Sequence, residues 1–209
     1  MEEQLREYSP KTTRIEAFSD GVFAIVVTLL VLEIKVPHFD SGATTADMTR
    51  ELLHLLPKFI GFVLSFVIVA IFWVNHHQLF HSLERSDRKL LWLNNLLLFW
   101  MSFIPFPTAL LGEYPLQPVS VFVYGAVLLL ASVSFNLMLR HAVKSGLFED
   151  TISEEVLAKS IRRGMIGPVV YLASVLGAFI SVYISLALFV LVPVYYFVPQ
   201  KIVKQEAGQ

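Results

Sequence analysis

The chain has 209 residues, 56% of them hydrophobic and 16% charged, with a formal net charge of -1 at pH 7. Soluble domains average about 25% charged residues. This chain therefore has too little polar surface to face water all round, and its mean hydropathy of +0.65 makes lipid the natural solvent. The near-neutral balance excludes the basic stripe of a nucleic-acid binder. The absence of cysteine excludes a disulfide framework, a thiolate nucleophile and a Cys-based metal site.

In chain order, residues 1-13 mix Glu2, Glu3 and Glu7 with Arg6 and Lys11, unlike the basic start of a secretory signal. They read as a tail. The first apolar stretch runs from Arg14 to Val36 and is closed by Pro37, which does not continue a helix easily. A polar segment follows, in which Asp47 to Leu56 fits a short surface helix. The second stretch runs from Pro57, well placed at a helix start, to about Gln78. The third covers about Lys89 to Leu111, with Pro105 and Pro107 kinking it, and the fourth covers Pro118 to about Arg140. The segment Phe148 to Arg163 reads as an amphipathic helix capped by Ser153. Met165 to Val198 carries no charge and is too long for one span. Dividing it near Ser181 to Ser185 gives six spans in all, so the fold class is all-α, polytopic, with one membrane domain over 14-200 and a second tail over 201-209.

Loop charge sets the expected orientation. Thirteen of the sixteen Lys and Arg residues fall on one side of this arrangement, leaving Lys35, Arg50 and Lys58 on the other. The positive-inside rule places the basic side, and with it both termini, in the cytoplasm of a cell membrane.

The first stretch holds the most unusual residues. An ionisable group inside a span costs about 2.5–3.5 kcal/mol at a helix centre and needs a partner or a wet cavity. Asp20, about two turns in, is such a group. At 100° per residue, setting Arg14 at 0° puts Phe18, Ile25, Thr28, Leu29 and Leu32 between about -40° and +60°, with Asp20 at about 240°. The helix therefore has a bulky apolar stripe containing one hydroxyl, and an acid on a different face expected to bury against neighbouring helices. Periodicity alone leaves the stripe as packing, lipid contact or something more.

The stretch RIEAFSDGVFAIVVTLLVLEIKVP resembles the R-x-x-x-F-S-D signature that opens the endosomal/lysosomal potassium-channel family, transmembrane protein 175, and its prokaryotic homologues. The segments FWVNHHQLFH and LWLNNLLLFWMSFIPFPTALLGEY are also similar to theirs, so the resemblance covers essentially the whole chain. It implies a homotetramer with the first helix of each subunit lining the pore. It further implies a hydrophobic constriction, here Ile25, Leu29 and Leu32, with Thr28 as the hydroxyl linked to potassium preference. Arg14, Phe18, Ser19 and Asp20 would be the signature, held by polar residues of the second and third spans, with His77, Trp92 and Asn95 as the expected partners. The implied function is a potassium-permeable cation channel without cofactors, its partners being other copies of itself, the lipid bilayer and monovalent cations.

Other constellations carry less. His76, His77 and His81 read as interhelical or headgroup-level residues rather than a metal site, so no metal is expected, with His77 the one assigned an interhelical hydrogen bond. There is no nucleophile-base pair to suggest an enzyme. A secondary transporter would show inverted repeats and broken helices at mid-membrane, which the sequence does not. A scaffold with no transport role, using the stripe as an oligomer seam, is the remaining alternative.

Overall fold

The computed structural model describes residues 12–39 and 41–197, with the Phe197 side chain excluded. The two expected tails therefore lie almost entirely outside the described residues. Nine helices are present among them: α1 (Thr12–Leu32), α2 (Thr45–His54), α3 (Leu56–His81), α4 (Arg88–Phe103), α5 (Pro105–Glu113), α6 (Pro118–Lys144), α7 (Glu154–Gly164), α8 (Ile166–Gly177) and α9 (Val182–Phe197). No strand occurs among the described residues, only an isolated bridge between Leu83 and Phe148.

Helix boundaries follow local chemistry. Thr44 and Asp47 form a reciprocal capping box at the start of α2, the expected surface helix. Asp87 caps α4 through the Leu90 N–H at 2.7 Å. Ser153 caps α7, as its sequence position predicts. Pro105 lacks the N–H needed to continue the ladder of α4, so the chain closes with a tight Ile104 to Met101 bond and restarts as α5. The two pieces still form one apolar span, Arg88–Glu113.

Among the described residues, four segments are long and apolar enough to cross a membrane: α1, α3, α4 with α5, and α6. The expectation for 165-198 is met in a different form. The chain turns over 178-181, slightly before the expected 181-185, and pairs two shorter helices of 12 and 16 residues. At 1.5 Å per residue these are about 18 and 24 Å long, against a hydrocarbon core of about 30 Å. Reciprocal bonds between Ser174 and Ser185, at 2.8 and 3.2 Å, hold the pair together.

Helix α6 is the hub. It packs against α4, α5, α7, α8 and α9, and Val121, Tyr124, Leu128, Ala131 and Met138 are fully buried along it. Gly125 permits this crowding, because an added Cβ would stand 3.0 Å from Val175 and 3.2 Å from Phe189. Ser65 of α3 lies 2.7 Å from Thr108 Oγ1 of α5 and 2.9 Å from Tyr124 Oη of α6, joining three spans with mutually satisfied hydroxyls.

Two loops expected on the same side meet at one end of the bundle. Glu84 N–H donates to Leu147 O at 3.0 Å, Glu149 N–H to Ser82 O at 3.2 Å, and Arg85 Nη2 to Gly146 O at 3.0 Å. His141 Nε2 reaches both carboxylate oxygens of Asp87, at 3.0 and 2.8 Å. Lys58 and Glu113 form an ion pair at the opposite end.

Candidate functional site

Helix α1 packs against α3, α4 and α5 through a narrow face: Ile15, Ser19, Phe23, Val26 and Leu30 are buried. On the helical wheel these residues fall between about 100° and 180°. The stripe centred near 0° points the other way. Phe18 is 61% exposed, Ile25 59%, Leu29 41% and Leu32 66%. Arg14 and Thr28 are exposed on the same side. Thr28 Oγ1 donates to Ile25 O at 2.8 Å, leaving the lone pairs of the hydroxyl oxygen pointing off the helix.

The signature residues are held to α3 and α4 by two separate contacts. Ser19 is fully buried and accepts from Asn94 Nδ2 at 3.0 Å. The Asn94 Oδ1 accepts from His76 Nε2 at 2.8 Å. The other ring nitrogen, Nδ1, is buried without a partner. Phe80 stacks on the His76 ring at 4.4 Å between centroids, and Phe23 lies at 5.5 Å. The second contact is at Asp20, whose Oδ1 accepts from Trp73 Nε1 at 2.9 Å.

These contacts correct the expected partners. His76 takes the place assigned to His77, Asn94 that of Asn95, and Trp73 that of Trp92. His77, Asn95 and Trp92 are all exposed, Trp92 by 66%. The reason is helical phase. The buried face of α3 runs Gly61, Ser65, Ile68, Phe72, His76, Leu79, and that of α4 runs Leu90, Asn94, Leu97, Met101. His77 and Asn95 sit about 100° off those faces. The i, i+3, i+4, i+7 spacing of small and apolar residues on α3 was the signal in the sequence that selects His76. Asp20 also differs from expectation. It is exposed within the protomer, on the flank of the buried face, and Ser19 is the buried polar residue. His77 instead continues a column of rings along α3, stacked between Trp73 and His81 at 5.9 and 6.1 Å.

Among the described residues no group of three or more His, Cys, Asp or Glu side chains is placed to hold a metal ion.

The family pattern described as "Endosomal/lysosomal potassium channel TMEM175" matches residues 14–105, which contain most of α1, the Ser19–Asn94–His76 triangle and the Trp73–Asp20 contact. Over nearly the whole length the chain is also 39% identical to a potassium channel of Chamaesiphon minutus, covering 89% of this chain and 93% of that one. The chain belongs to the TMEM175 family. A Streptomyces collinus potassium channel is 38% identical over 88% of this chain and 90% of its own length. The crystal structure of a TMEM175 homologue from Chamaesiphon minutus, described as a lysosomal potassium-selective channel, superposes with a TM-score of 0.79 at 38% identity, covering 88% of this chain and 95% of that one. TMEM175 relatives are channels, not enzymes, and this chain is a multi-pass membrane protein of that family.

Proposed function

We propose that this chain is a subunit of a potassium-permeable cation channel, in which α1 from each of four copies lines the pore. The observation that carries the reading is the uncovered face of α1. A face turned to lipid needs only apolar bulk, yet this one also presents Arg14, Gly21, Ala24 and Thr28 among its large aliphatics. Gly21 serves no packing within the protomer, since an added Cβ there would meet nothing within 4 Å. Small residues and a hydroxyl on an unpartnered membrane helix fit close approach of another helix, or water. The names of the relatives supply the permeant ion.

In this reading Ile25, Leu29 and Leu32 form the constriction. Aliphatic rings offer a cation nothing to replace its hydration shell, so a narrow ring closes by dewetting and conducts only when wide enough for a largely hydrated ion. Thr28 presents a hydroxyl oxygen on that face and is assigned the potassium preference. The Ser19–Asn94–His76 triangle and the Trp73–Asp20 bond anchor the pore helix to α3 and α4. With α8 and α9 counted as spans each subunit crosses six times, both termini lie in the cytoplasm, and the channel sits in the cell membrane with no cofactor.

The test is ion flux in liposomes holding the purified protein. Potassium flux is expected to exceed sodium flux, and Ile25→Asn or Leu29→Asn is expected to raise leak by hydrating the ring. Well-folded protein that passes no potassium would end the channel reading.

A further inference from the structure

At the end of the bundle where α6, α7, α8 and α9 meet, two buried donors lack an acceptor. Arg163 Nε is shut off from solvent and has no hydrogen-bond partner. Its guanidinium carbon lies 5.8 and 5.2 Å from the ring centres of Tyr195 and Tyr196, and its backbone carbonyl accepts from Tyr196 Oη at 3.1 Å. One residue on, Gly164 faces Asn136 of α6, whose buried Nδ2 is also without a partner; an added Cβ at Gly164 would stand 2.9 Å from it. Arg140 Nη2 has only the thioether of Met165, at 3.0 Å, a weak acceptor for a guanidinium. Arg162 is exposed and precedes Arg163 in the last turn of α7. Among the described residues none of these arginines has an ion pair. The acids of α7, Glu154 and Glu155, sit in its first turn, about 12 Å along the helix from Arg162.

The depth of the cluster is set independently by sequence. Arg140 is the first charged residue of α6 after a run of apolar and neutral residues from Pro118. Arg163 is the last charge before the uncharged segment that forms α8 and α9. Tyr195 and Tyr196 come near the end of that segment, where aromatic residues favour the membrane–water interface. Arg140, Arg163 and the tyrosine pair thus lie at headgroup level, away from α1, which packs on α3, α4 and α5 instead.

We infer that Arg140, Arg162 and Arg163 form a binding site for the phosphate of an anionic phospholipid at this corner of the protein. The phosphate supplies the acceptor oxygens that the arginines lack, and its acyl chains lie along the exposed apolar faces of α8 and α9, which include Val169, Leu172 and Val194. Guanidinium groups pair with phosphate in this way more readily than lysine does. A basic pocket between spans recognises a charged headgroup rather than a zwitterionic one.

Native mass spectrometry of the full chain with phosphatidylglycerol and phosphatidylcholine of matched acyl length, in equal amounts, tests this. Phosphatidylglycerol should be retained in preference, and Arg163→Gln and Arg140→Gln should each lower that preference about fivefold. Lys35→Gln, at the opposite end, should leave it unchanged. Arg162→Gln is a second, exposed variant that keeps the test open if Arg163→Gln fails to fold. Adding inorganic phosphate should not displace the lipid. Equal retention of the two lipids, a preference unaffected by the arginine variants, or displacement by phosphate alone would overturn the assignment.

Discussion

His76 Nε2 donates to Asn94 Oδ1 at 2.8 Å in the fully buried space between α3 and α4. The same amide turns its nitrogen to Ser19, so one side chain satisfies polar atoms on two other helices and fixes how α1 is rotated relative to both.

Removing that amide strands both partners. Asn94→Leu should lower stability by about 1–3 kcal/mol, the cost of leaving buried polar groups unpaired. Asn95→Leu, on the exposed side of the same helix, should change stability by less than about 0.5 kcal/mol. Thermal unfolding of the two variants in detergent compares them directly, and equal losses would contradict the assigned phase of α4.

The Trp73–Asp20 bond should behave as a coupled pair. Trp73→Phe keeps an aromatic ring but deletes the N–H, and the part of its cost that depends on Asp20 should be about 1 kcal/mol and vanish in an Asp20→Ala background. Trp92→Phe should cost nothing measurable. A double-mutant cycle read by thermal unfolding gives the coupling.

Thr28 donates its proton to Ile25 O and so offers oxygen lone pairs to the uncovered side of α1. Thr28→Ala should lower the potassium-over-sodium preference while leaving protomer stability within about 0.5 kcal/mol. Reversal potentials under bi-ionic conditions measure this, and unchanged values would remove Thr28 from the site.

Gly21 and Gly125 should respond in opposite ways to alanine. An added Cβ at Gly21 meets open space within the protomer, so Gly21→Ala should leave the fold intact and act on flux or assembly. Gly125→Ala pushes against Val175 and Phe189 and should cost about 1–3 kcal/mol. Size-exclusion profiles after heating separate the two.

Acid should loosen the loop end of the bundle. Burial pushes the Asp87 carboxyl up, but the Leu90 N–H and His141 outweigh this, and the carboxyl ends below its ordinary value. A depressed carboxyl adds stability above the usual carboxylate pKa, near pH 4, and that stability is lost as pH falls through the lowered value. The stability gap between the wild type and Asp87→Asn should therefore close on acidification below about pH 4. A gap that persists at pH 2 would show that the charge on Asp87 is not what stabilises the clasp.

Much of this protein can be read from local sequence. Pro57, Pro105 and Pro118 open helices where a missing N–H costs nothing, and Ser153 and Asp87 cap them. The division of 165-198 was legible as to kind, but the turn falls at 178-181 because the Ser174–Ser185 exchange fixes the register of two helices across the turn. The pairing of the 82-87 and 145-153 loops was foreshadowed only as shared sidedness. Its hydrogen bonds join residues about 60 positions apart, beyond any local pattern.

By itself the sequence determined the solvent, the helical class, the approximate spans and the first helix as the unusual one, because these depend on composition and on residues within a few turns of one another. Tertiary structure decided which of two neighbouring residues does the binding: His76 over His77, Asn94 over Asn95, and Ser19 over Asp20 as the buried group; it also selected Trp73 of α3 in place of Trp92 of α4. Adjacent helical positions differ by about 100° of rotation, and only the packing of α1 against α3 and α4 fixes that angle. The same packing covers one face of α1 and leaves the stripe of Phe18, Ile25, Leu29 and Leu32 uncovered.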